Sequence, residues 1–421
     1  MTMKLFAYLL LLVVGLIPPY LHTLAAPDAT GEVADGADAF VNSVGVNVHL
    51  HFADTSYGNF PEVEKGLKDL GVRHIRDGLV DTEWKPYYDR LNELGRFGIK
   101  SILITSVKQR PEMVAAYPSR VADSFEGFEA PNEYDISGDK DWAATLSPFT
   151  RALFEAVRGS SRAKKFPIVG PSVTQAGSFA QVSDTVQFFD ISNLHNYFGG
   201  RNPGTRGWGA NGYGSMEWSL DLARKAWKGK EIWTTETGYR TDVSKKDSAP
   251  EVVVGAYVPR LLFLQWMHGI RRTYLYELVD LGKPGDDSSF GLLRADFTAK
   301  PAYAAVRNIL RLLSDRGAEF VPGKLEYSLS GELNDVNHLL LEKRDGTFFL
   351  AMWVERPGWD VDRKERLPVA EQRVVVTTKA PVKMKLHRLE EDGQMQSSEL
   401  GAGKSQQVKV GERVTILEIA K

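Results

Sequence analysis

The sequence predicts an α/β fold: a (β/α)8 barrel over residues 38–315, followed by an antiparallel β-sandwich domain over residues 316–421. In the first region eight apolar, strand-like runs alternate with amphipathic helical stretches, and a barrel of this kind typically takes about 250 residues. In the second region apolar and polar residues alternate between turns, which is typical of antiparallel strands. No dinucleotide fingerprint follows the first strand, which disfavours a doubly wound open sheet.

The predicted barrel strands are, in chain order, SVGVNVHL, VRHIR, KSILIT, SFEGFE, FPIVG, FDISNL, EIWTTE and RTYLYEL. Between them lie the helical stretches PEVEKGLKDLG, TEWKPYYDRLNELGRFG, SPFTRALFEAVRGSSRA, MEWSLDLARKAW and PEVVVGAYVPRLLFLQWMHG. A last amphipathic stretch, PAYAAVRNILRLLSD, closes the series. Because strand and helix alternate throughout, the strands are expected to be parallel.

The sandwich region is predicted from the runs KLEYSLSG, NHLLLEKRDGTFFLAMWV, QRVVVTT, VKMKLHRLE and QQVKVGERVTILEIA. Asp345-Gly346 lies between two alternating runs and is a strong hairpin signal. This region has no cluster of the residue types used in catalysis. We therefore expect it to pack against the barrel and stabilise it, rather than to bind a ligand independently.

Residues 1–26 have the pattern of a signal peptide. Lys4 precedes a 13-residue apolar run, which is short of the roughly 20 residues that span a bilayer. Cleavage is expected after Ala25 or Ala26, and a retained N-terminal anchor is the alternative. No other segment has the composition to cross a membrane, so we expect a secreted or periplasmic protein. The next stretch, ATGEVADGADA, is small and acidic, and we interpret it as a linker.

Composition excludes several classes of function. The chain has 52 Lys and Arg against 54 Asp and Glu, so it has no net field that would attract nucleic acid or a membrane surface. It has no cysteine, which excludes disulfides, thiolate zinc sites and a cysteine nucleophile. Neither a G-x-S-x-G nucleophile elbow nor a P-loop is present.

Candidate catalytic residues stand where predicted strands end, and these ends form the active face of a barrel. Glu133 follows the fourth strand and Glu236 ends the seventh. Cleavage of a glycosidic bond needs two carboxyl groups, one to protonate the leaving oxygen and one to attack or stabilise the sugar carbon. Arg76 ends the second strand, and a guanidinium beside a carboxylate lowers its pKa and keeps it ionised.

These residues resemble the active-site pattern of clan A glycoside hydrolases, the retaining β-glycosidase superfamily that includes families 5 and 39. Its members carry an Asn-Glu pair after strand four and a nucleophilic Glu at the end of strand seven, where PNE and TTETG stand here. SSFGLLRADFTAKPAYAAVRNIL resembles their segment after strand eight, and an appended β-sandwich is common among them. The resemblance therefore covers roughly residues 40–420. The usual Asn-Glu-Pro is absent, because Tyr134 follows Glu133.

The resemblance implies a retaining β-glycoside hydrolase of poly- or oligosaccharides that needs neither a metal nor an organic cofactor. Glu133 would be the general acid/base, and Asn132 would hydrogen-bond the sugar 2-hydroxyl. Glu236 would be the nucleophile, oriented by Arg76 and Tyr197. In a retaining enzyme the two carboxyl groups should lie about 5–5.5 Å apart. Carbohydrate is the one partner implied, while the sugar, endo or exo action, and the oligomeric state stay open.

Further residues are expected to line the site. The sixth strand supplies His195 and Tyr197, and the glycine-rich loop FGGRNPGTRGWGANGYG supplies Trp208 as a stacking face for a sugar. A solvent-exposed loop with one aromatic tucked inward is the alternative for that segment. Glu277, after the eighth strand, is expected either to contact sugar hydroxyls or to pair with a base. Glu126 and Glu129 compete with Glu133 for the acid/base role, but they lie earlier on its strand and should face the barrel interior.

Two functions of other classes remain as alternatives. His49 and His51 share one face of the first strand, and H-x-H at this place resembles the metal-binding start of amidohydrolases. The fifth strand supplies no histidine, so one expected ligand is missing, and His51 is better explained as polar lining of the site. A non-catalytic glycan-binding barrel is the second alternative. GWGANG matches a dinucleotide motif in letters only, because it lies inside a loop.

Overall fold

The computed structural model describes residues 31–79, 84–283, 285 and 288–420 of the chain. The predicted signal segment at residues 1–26 lies outside them. Within the described residues, no helix is long and apolar enough to cross a membrane.

The secondary structure follows the predicted alternation of strands and helices. The strands are β1 Glu32–Val33, β2 Asp35–Gly36, β3 Val44–Asn47, β4 His74–Gly78, β5 Lys100–Ile104, β6 Phe125–Glu129, β7 Ile168–Val169, β8 Ile191–His195, β9 Glu231–Thr237, β10 Arg272–Leu275, β11 Lys324–Leu325, β12 Tyr327–Gly331, β13 Val336–Glu342, β14 Phe348–Val354, β15 Trp359–Asp360, β16 Glu365–Arg366, β17 Gln372–Leu389, β18 Met395–Val410 and β19 Thr415–Ala420. The α-helices are α1 Ala37–Asn42, α2 Phe60–Leu70, α3 Lys85–Arg96, α4 Pro111–Val114, α5 Trp142–Gly159, α6 Ala176–Gln181, α7 Met216–Ala226, α8 Glu251–Met267 and α9 Pro301–Leu313.

Strands β3 to β10 form a closed parallel barrel, in which β10 pairs with both β9 and β3. Its interior is filled by the apolar cluster of Ile102, Val169, Trp233 and Tyr274. Gly45 allows the Tyr274 ring to cross the interior, because a Cβ at this position would lie 2.5 Å from the ring. These packed apolar side chains fill the interior of the barrel, and the polar side chains of the candidate site lie nearer the carboxyl ends of the strands. The predicted barrel is confirmed.

The C-terminal region is an antiparallel sheet around its own apolar core, as predicted. The strand order is β12-β17-β19-β14-β13-β2, and β18 runs along β17. The hairpin at Asp345-Gly346 is confirmed, since β13 pairs with β14 and the Lys343 amide donates to the Thr347 carbonyl at 3.0 Å. Two runs predicted as separate strands form the single long strand β17, which pairs with β12 at one end and β19 at the other.

The small, acidic stretch interpreted as a linker is instead part of the sheet structure. β1 pairs with β11, and β2 pairs in parallel with β13. Ala34 between them is buried, and the Asp35 carboxylate accepts a hydrogen bond from Trp266 Nε1 of α8 at 2.8 Å. The chain therefore passes through the C-terminal sheet before it enters the barrel. These two-residue strands have no periodic pattern of their own, because distant strands supply their pairing.

Helix α8 lies between the barrel and the C-terminal sheet. Most of its side chains are buried, with no polar face, as expected of a helix covered on all sides. Phe263 stacks on Phe40 of α1 at a ring-centroid distance of 4.5 Å and on Trp353 of β14 at 5.7 Å. Barrel and sheet thus share one continuous apolar core, which contains residues of both.

Candidate active site

The carboxylate of Glu236, near the end of β9, is held by one donor from β4 and one from the segment that follows β8. Arg76 Nη1 donates to Oε1 at 2.6 Å, and the Tyr197 hydroxyl donates to Oε2 at 3.0 Å. The guanidinium is almost completely buried beneath this carboxylate. Arg76 therefore contacts Glu236 rather than the open cleft, and it fixes the orientation of the carboxylate from below.

Arg76 is itself fixed by a second carboxylate, that of Glu129 on β6. The guanidinium donates from Nε and Nη2 to the two Glu129 oxygens, each at 2.7 Å. Its remaining donors reach Asn47 Oδ1 at 2.9 Å and Asn132 Oδ1 at 2.5 Å. Because Arg76 engages the carbonyl of Asn132, the amide NH2 of this exposed residue is the end available to a ligand.

Glu133 lies in the turn that follows β6. Its backbone is in the left-handed region at φ 41°, and its amide donates to Ser172 Oγ at 3.0 Å. The side chain reaches across to β8, where its Oε1 lies 2.7 Å from His195 Nδ1. The other ring nitrogen of His195 lies 2.9 Å from the Thr235 hydroxyl. The imidazole is thus held at both nitrogens and positions the Glu133 carboxyl.

The two glutamates predicted from the strand ends lie side by side. One ligand atom from each of Glu133, His195 and Glu236 lies within 4.8 Å of the others. His195 Nδ1 is 3.6 Å from Glu236 Oε2, so the imidazole stands between the two carboxyl groups. The Glu133 side chain is partly exposed, whereas the Glu236 side chain is more deeply buried.

Neighbouring charges shift the pKa values of Glu236, His195 and Tyr197 in different directions. Burial alone would raise the pKa of Glu236, but the charges of His195 and Arg76, with the hydrogen bonds from Arg76 and Tyr197, hold that pKa below its usual value. Burial would lower the pKa of His195, but the charge of Glu236 and the hydrogen bond to Glu133 outweigh it and raise that pKa. Burial and the Glu236 charge raise the pKa of the Tyr197 phenol, which keeps it a donor.

Comparisons with known proteins bear on the fold. No model of a known sequence family matches the chain, and no characterised protein matches it in sequence. Among solved structures, a family 39 glycoside hydrolase from Bacteroides cellulosilyticus WH2 aligns with a TM-score of 0.61 and 18% identity, over 93% of this chain and 82% of that one. The chain shares its fold with family 39 glycoside hydrolases.

Two further structures align over nearly the whole chain. A family 39 enzyme from Xanthomonas axonopodis pv. citri gives a TM-score of 0.61 at 14% identity and covers 96% of this chain and 100% of that one. A monomeric β-xylosidase from Caulobacter crescentus CB15 gives 0.61 at 13% identity and covers 92% and 97%. At these identities the likeness concerns architecture, and it confirms the predicted barrel with its C-terminal β-domain.

His49 and His51 lie beyond the first barrel strand, which ends at Asn47, so the prediction that they share one face of that strand is wrong. The two histidines also do not converge on a common point. His49 Nε2 lies 3.4 Å from a Glu277 oxygen, whereas His51 Nδ1 lies 3.3 Å from Asp77 Oδ1. The two ring centroids are 6.3 Å apart. In the described part of the chain, the side chains close enough together to ligate one ion are instead Glu133, His195 and Glu236. The H-x-H pattern thus corresponds to two separate His–carboxylate pairs.

Glu277, for which contact with sugar hydroxyls and pairing with a base were both expected as alternatives, is completely buried. Its Oε2 accepts a hydrogen bond from the Tyr57 hydroxyl at 2.9 Å and faces His49. The His51 side chain, which lies four residues after the end of β3, is one-quarter exposed. It is still a candidate for lining the site.

Trp208 is exposed, in the loop between β8 and α7. Its ring lies under the Arg201 guanidinium at 4.5 Å and edge-on to Tyr213 at 5.6 Å. These contacts lie within the loop itself and not with the carboxyl pair. Trp208 and Tyr213 are thus both exposed, whereas Phe198, the first residue of the same glycine-rich segment, is completely buried.

Several buried polar residues beneath the site were not singled out from the sequence. Asn193 Nδ2 donates to Glu129 Oε1 at 2.9 Å, and the Thr235 hydroxyl donates to Asn193 Oδ1 at 2.6 Å. Both face the barrel interior, Asn193 two positions before His195 and Thr235 one position before Glu236. A polar residue that shares the inward face of a barrel strand with a site residue is the signal that would have found Asn193.

Proposed function

We propose that the chain is a retaining glycoside hydrolase. The observation that carries the proposal is the pairing of two carboxyl groups in different electrostatic settings, with oxygens within 4.8 Å of each other. Retaining enzymes hold their carboxyls about 5–5.5 Å apart, whereas inverting enzymes leave about 6.5–9.5 Å for a water molecule. The short separation supports double displacement.

In this mechanism Glu236 attacks the anomeric carbon and forms a glycosyl ester. Its pKa is held low, so it is ionised at neutral pH as a nucleophile must be. Glu133 transfers its proton to the leaving oxygen as the glycosidic bond breaks. It then takes a proton from the water that attacks the ester, and Glu236 leaves as a carboxylate. The contact between His195 Nδ1 and Glu133 Oε1 at 2.7 Å holds the carboxyl group in place for both proton transfers.

The remaining residues suit this chemistry. Asn132 turns its amide NH2 outward beside Glu133, where it would hydrogen-bond the sugar 2-hydroxyl. Trp208, which is exposed in the loop between β8 and α7, would stack on a further sugar unit. We propose a β-linked poly- or oligosaccharide as substrate and, from the signal pattern, a secreted or periplasmic location. Because the similar structures include a β-xylosidase and a glucosidase, aryl β-xylosides and β-glucosides come first in a substrate screen.

The decisive experiment combines amide variants with chemical rescue. Glu236→Gln and Glu133→Gln should each lower turnover by at least about 10²–10⁴-fold, while circular dichroism and Tm show a folded protein. Glu126→Gln, a change on the strand that carries Glu129, is the matched control and should keep its activity.

Azide separates the two roles on an activated aryl glycoside. Rescue of Glu236→Ala should give a glycosyl azide of inverted configuration, and rescue of Glu133→Ala should give one of retained configuration. Full activity in either Gln variant would refute the assignment. A wild-type protein that binds defined β-glycans without turnover would instead support a glycan-binding barrel.

A further inference from the structure

Glu355 lies directly after β14 in the C-terminal sheet, and its carboxylate points into the junction with the barrel. It is largely buried and meets the fully buried guanidinium of Arg260 on α8. Arg260 Nε donates to Oε2 at 2.9 Å, and Arg260 Nη2 donates to Oε1. Trp353 Nε1 adds a donor to Oε2 at 2.9 Å. The ion pair balances the charge of both buried groups, which neither could tolerate alone.

The same carboxylate also binds the loop between β8 and α7. Asn202 Nδ2 donates to Glu355 Oε1 at 2.7 Å, and the Gly204 amide donates to it at 3.1 Å. Gly204 allows this approach, because a Cβ there would lie 2.4 Å from the Glu355 side chain. One side chain of the C-terminal sheet thus fixes two points of a barrel loop.

A second contact supports the beginning of this loop from the same side. Trp359 Nε1 of the C-terminal region donates to the Ser248 carbonyl at 3.0 Å. That carbonyl lies against Gly200, where a Cβ would be only 2.6 Å away. Arg201 follows, and its guanidinium covers the Trp208 ring. The C-terminal region therefore holds residues 200–204, while the aromatic half of the loop is exposed to solvent.

The loop connects this junction to the active site. It begins beside Tyr197, whose hydroxyl binds the Glu236 carboxylate, and the carboxyl ends of barrel strands form the face on which substrates bind. We propose that Glu355 is a positioning residue, through which the C-terminal sheet sets the place of the β8–α7 loop and of its Trp208 face over the cleft. The part of this inference that concerns substrate rests on the proposed function.

Three variants test the inference. Asn202→Ala removes the side-chain donor but leaves the Arg260–Glu355 ion pair, so it avoids the cost of an unpaired buried arginine. Glu355→Gln removes the charge. Asp35→Asn is the matched control: it removes a carboxylate that joins the sheet to α8 through Trp266, away from the loop.

The first measurement is hydrogen–deuterium exchange of peptides that cover residues 199–214, and it needs no substrate. In Asn202→Ala and Glu355→Gln, the amides of this loop should exchange about 10-fold faster or more, since each variant loses a hydrogen bond to a charged group. Asp35→Asn should leave them unchanged. Unaltered exchange in both loop variants, with Tm above the assay temperature, would overturn the proposal.

The second measurement is kinetic and uses wild type and variants on a β-linked oligosaccharide and on an aryl glycoside of the same sugar. Loop misplacement should raise KM for the oligosaccharide about 10-fold and change the aryl glycoside parameters little, because the aryl glycoside lacks the further sugar unit proposed to stack on Trp208. An equal effect on both substrates would overturn the link to substrate binding. If the wild type cleaves no glycan, the hydrolase assignment fails, and the exchange data still decide whether Glu355 positions the loop.

Discussion

Besides the charge of His195, two hydrogen-bond donors stabilise the Glu236 carboxylate: a guanidinium that also brings charge, and a phenol that brings only a hydrogen bond. Tyr197→Phe removes the phenolic donor at Oε2 and leaves Arg76 in place. The pKa of Glu236 should then rise, because a hydrogen bond to the charged form has been lost. We expect the acid limb of the kcat/KM profile to move to higher pH and the plateau to fall roughly 10-fold or more.

Glu129 should act on the same carboxylate in the opposite direction. Its negative charge lies against Arg76, so Glu129→Gln leaves the guanidinium charge acting more strongly on Glu236. The acid limb should move to lower pH, while kcat falls because Arg76 is held less firmly. The measurement is the same pH–rate profile, with Tm as the control for folding. Shifts of both variants in one direction would contradict this account of the site.

At the scale of elements, periodicity was sufficient where an element carries its own pattern. The alternation of strands and helices predicted the barrel, and reading the strand ends predicted Glu133 and Glu236 as neighbours, which the structure places within reach of each other. Elements defined by a distant partner were not predictable in this way. β2 exists because β13 lies beside it, and nothing in its own two residues indicates that pairing.

The same limit applies to the polar groups under the site. Glu129 was expected to face inward, but its bonds to Arg76 and Asn193 depend on the radial arrangement of three strands, which sequence order does not give. The loop that carries Trp208 gives a second example. Its anchoring by Glu355 depends on a domain more than a hundred residues away.

Glycines within helices give a prediction at this scale. Gly95 of α3 lies against the backbone of Asp123, where a Cβ would be 2.3 Å from the carbonyl carbon. Gly95→Ala should push α3 from the segment that precedes β6 and lower the free energy of unfolding by about 1–3 kcal/mol. Gly159→Ala, at the end of α5, is the control because no atom lies within 4 Å of its Cβ position; it should be neutral or slightly stabilising. Urea unfolding of both proteins provides the measurement, and equal midpoints would show that α3 is not packed as described.

At the scale of the whole molecule, ionisable residues have different roles at the two ends of the barrel. The segment formed by β6 and the turn after it has such residues at both ends. Glu126 at its start binds His74 Nδ1 at 2.7 Å and faces Arg272 at the amino-terminal end. Glu129 lies under the candidate site, and Glu133 lies at the carboxyl-terminal face, where the proposed chemistry takes place. Charges at the amino-terminal end of a barrel serve stability, and those at the carboxyl end serve chemistry.

Glu126→Gln tests this division. Burial alone would raise the pKa of Glu126, but His74 and Arg272 hold that pKa below its usual value. A lowered carboxyl pKa contributes stability above the unfolded-state value, and this contribution is lost as pH falls through the folded-state pKa. The variant should therefore be less stable than the wild type at pH 7, by about 1–3 kcal/mol. The stability of the wild type falls in acid partly because this carboxylate becomes protonated, and the variant should lack that part of the fall. Its kcat/KM at a temperature well below Tm should equal that of the wild type, and thermal unfolding at pH 7, 4.5 and 3 with parallel assays measures both. A loss of activity comparable to that of Glu133→Gln would show that the two ends of the barrel are not independent.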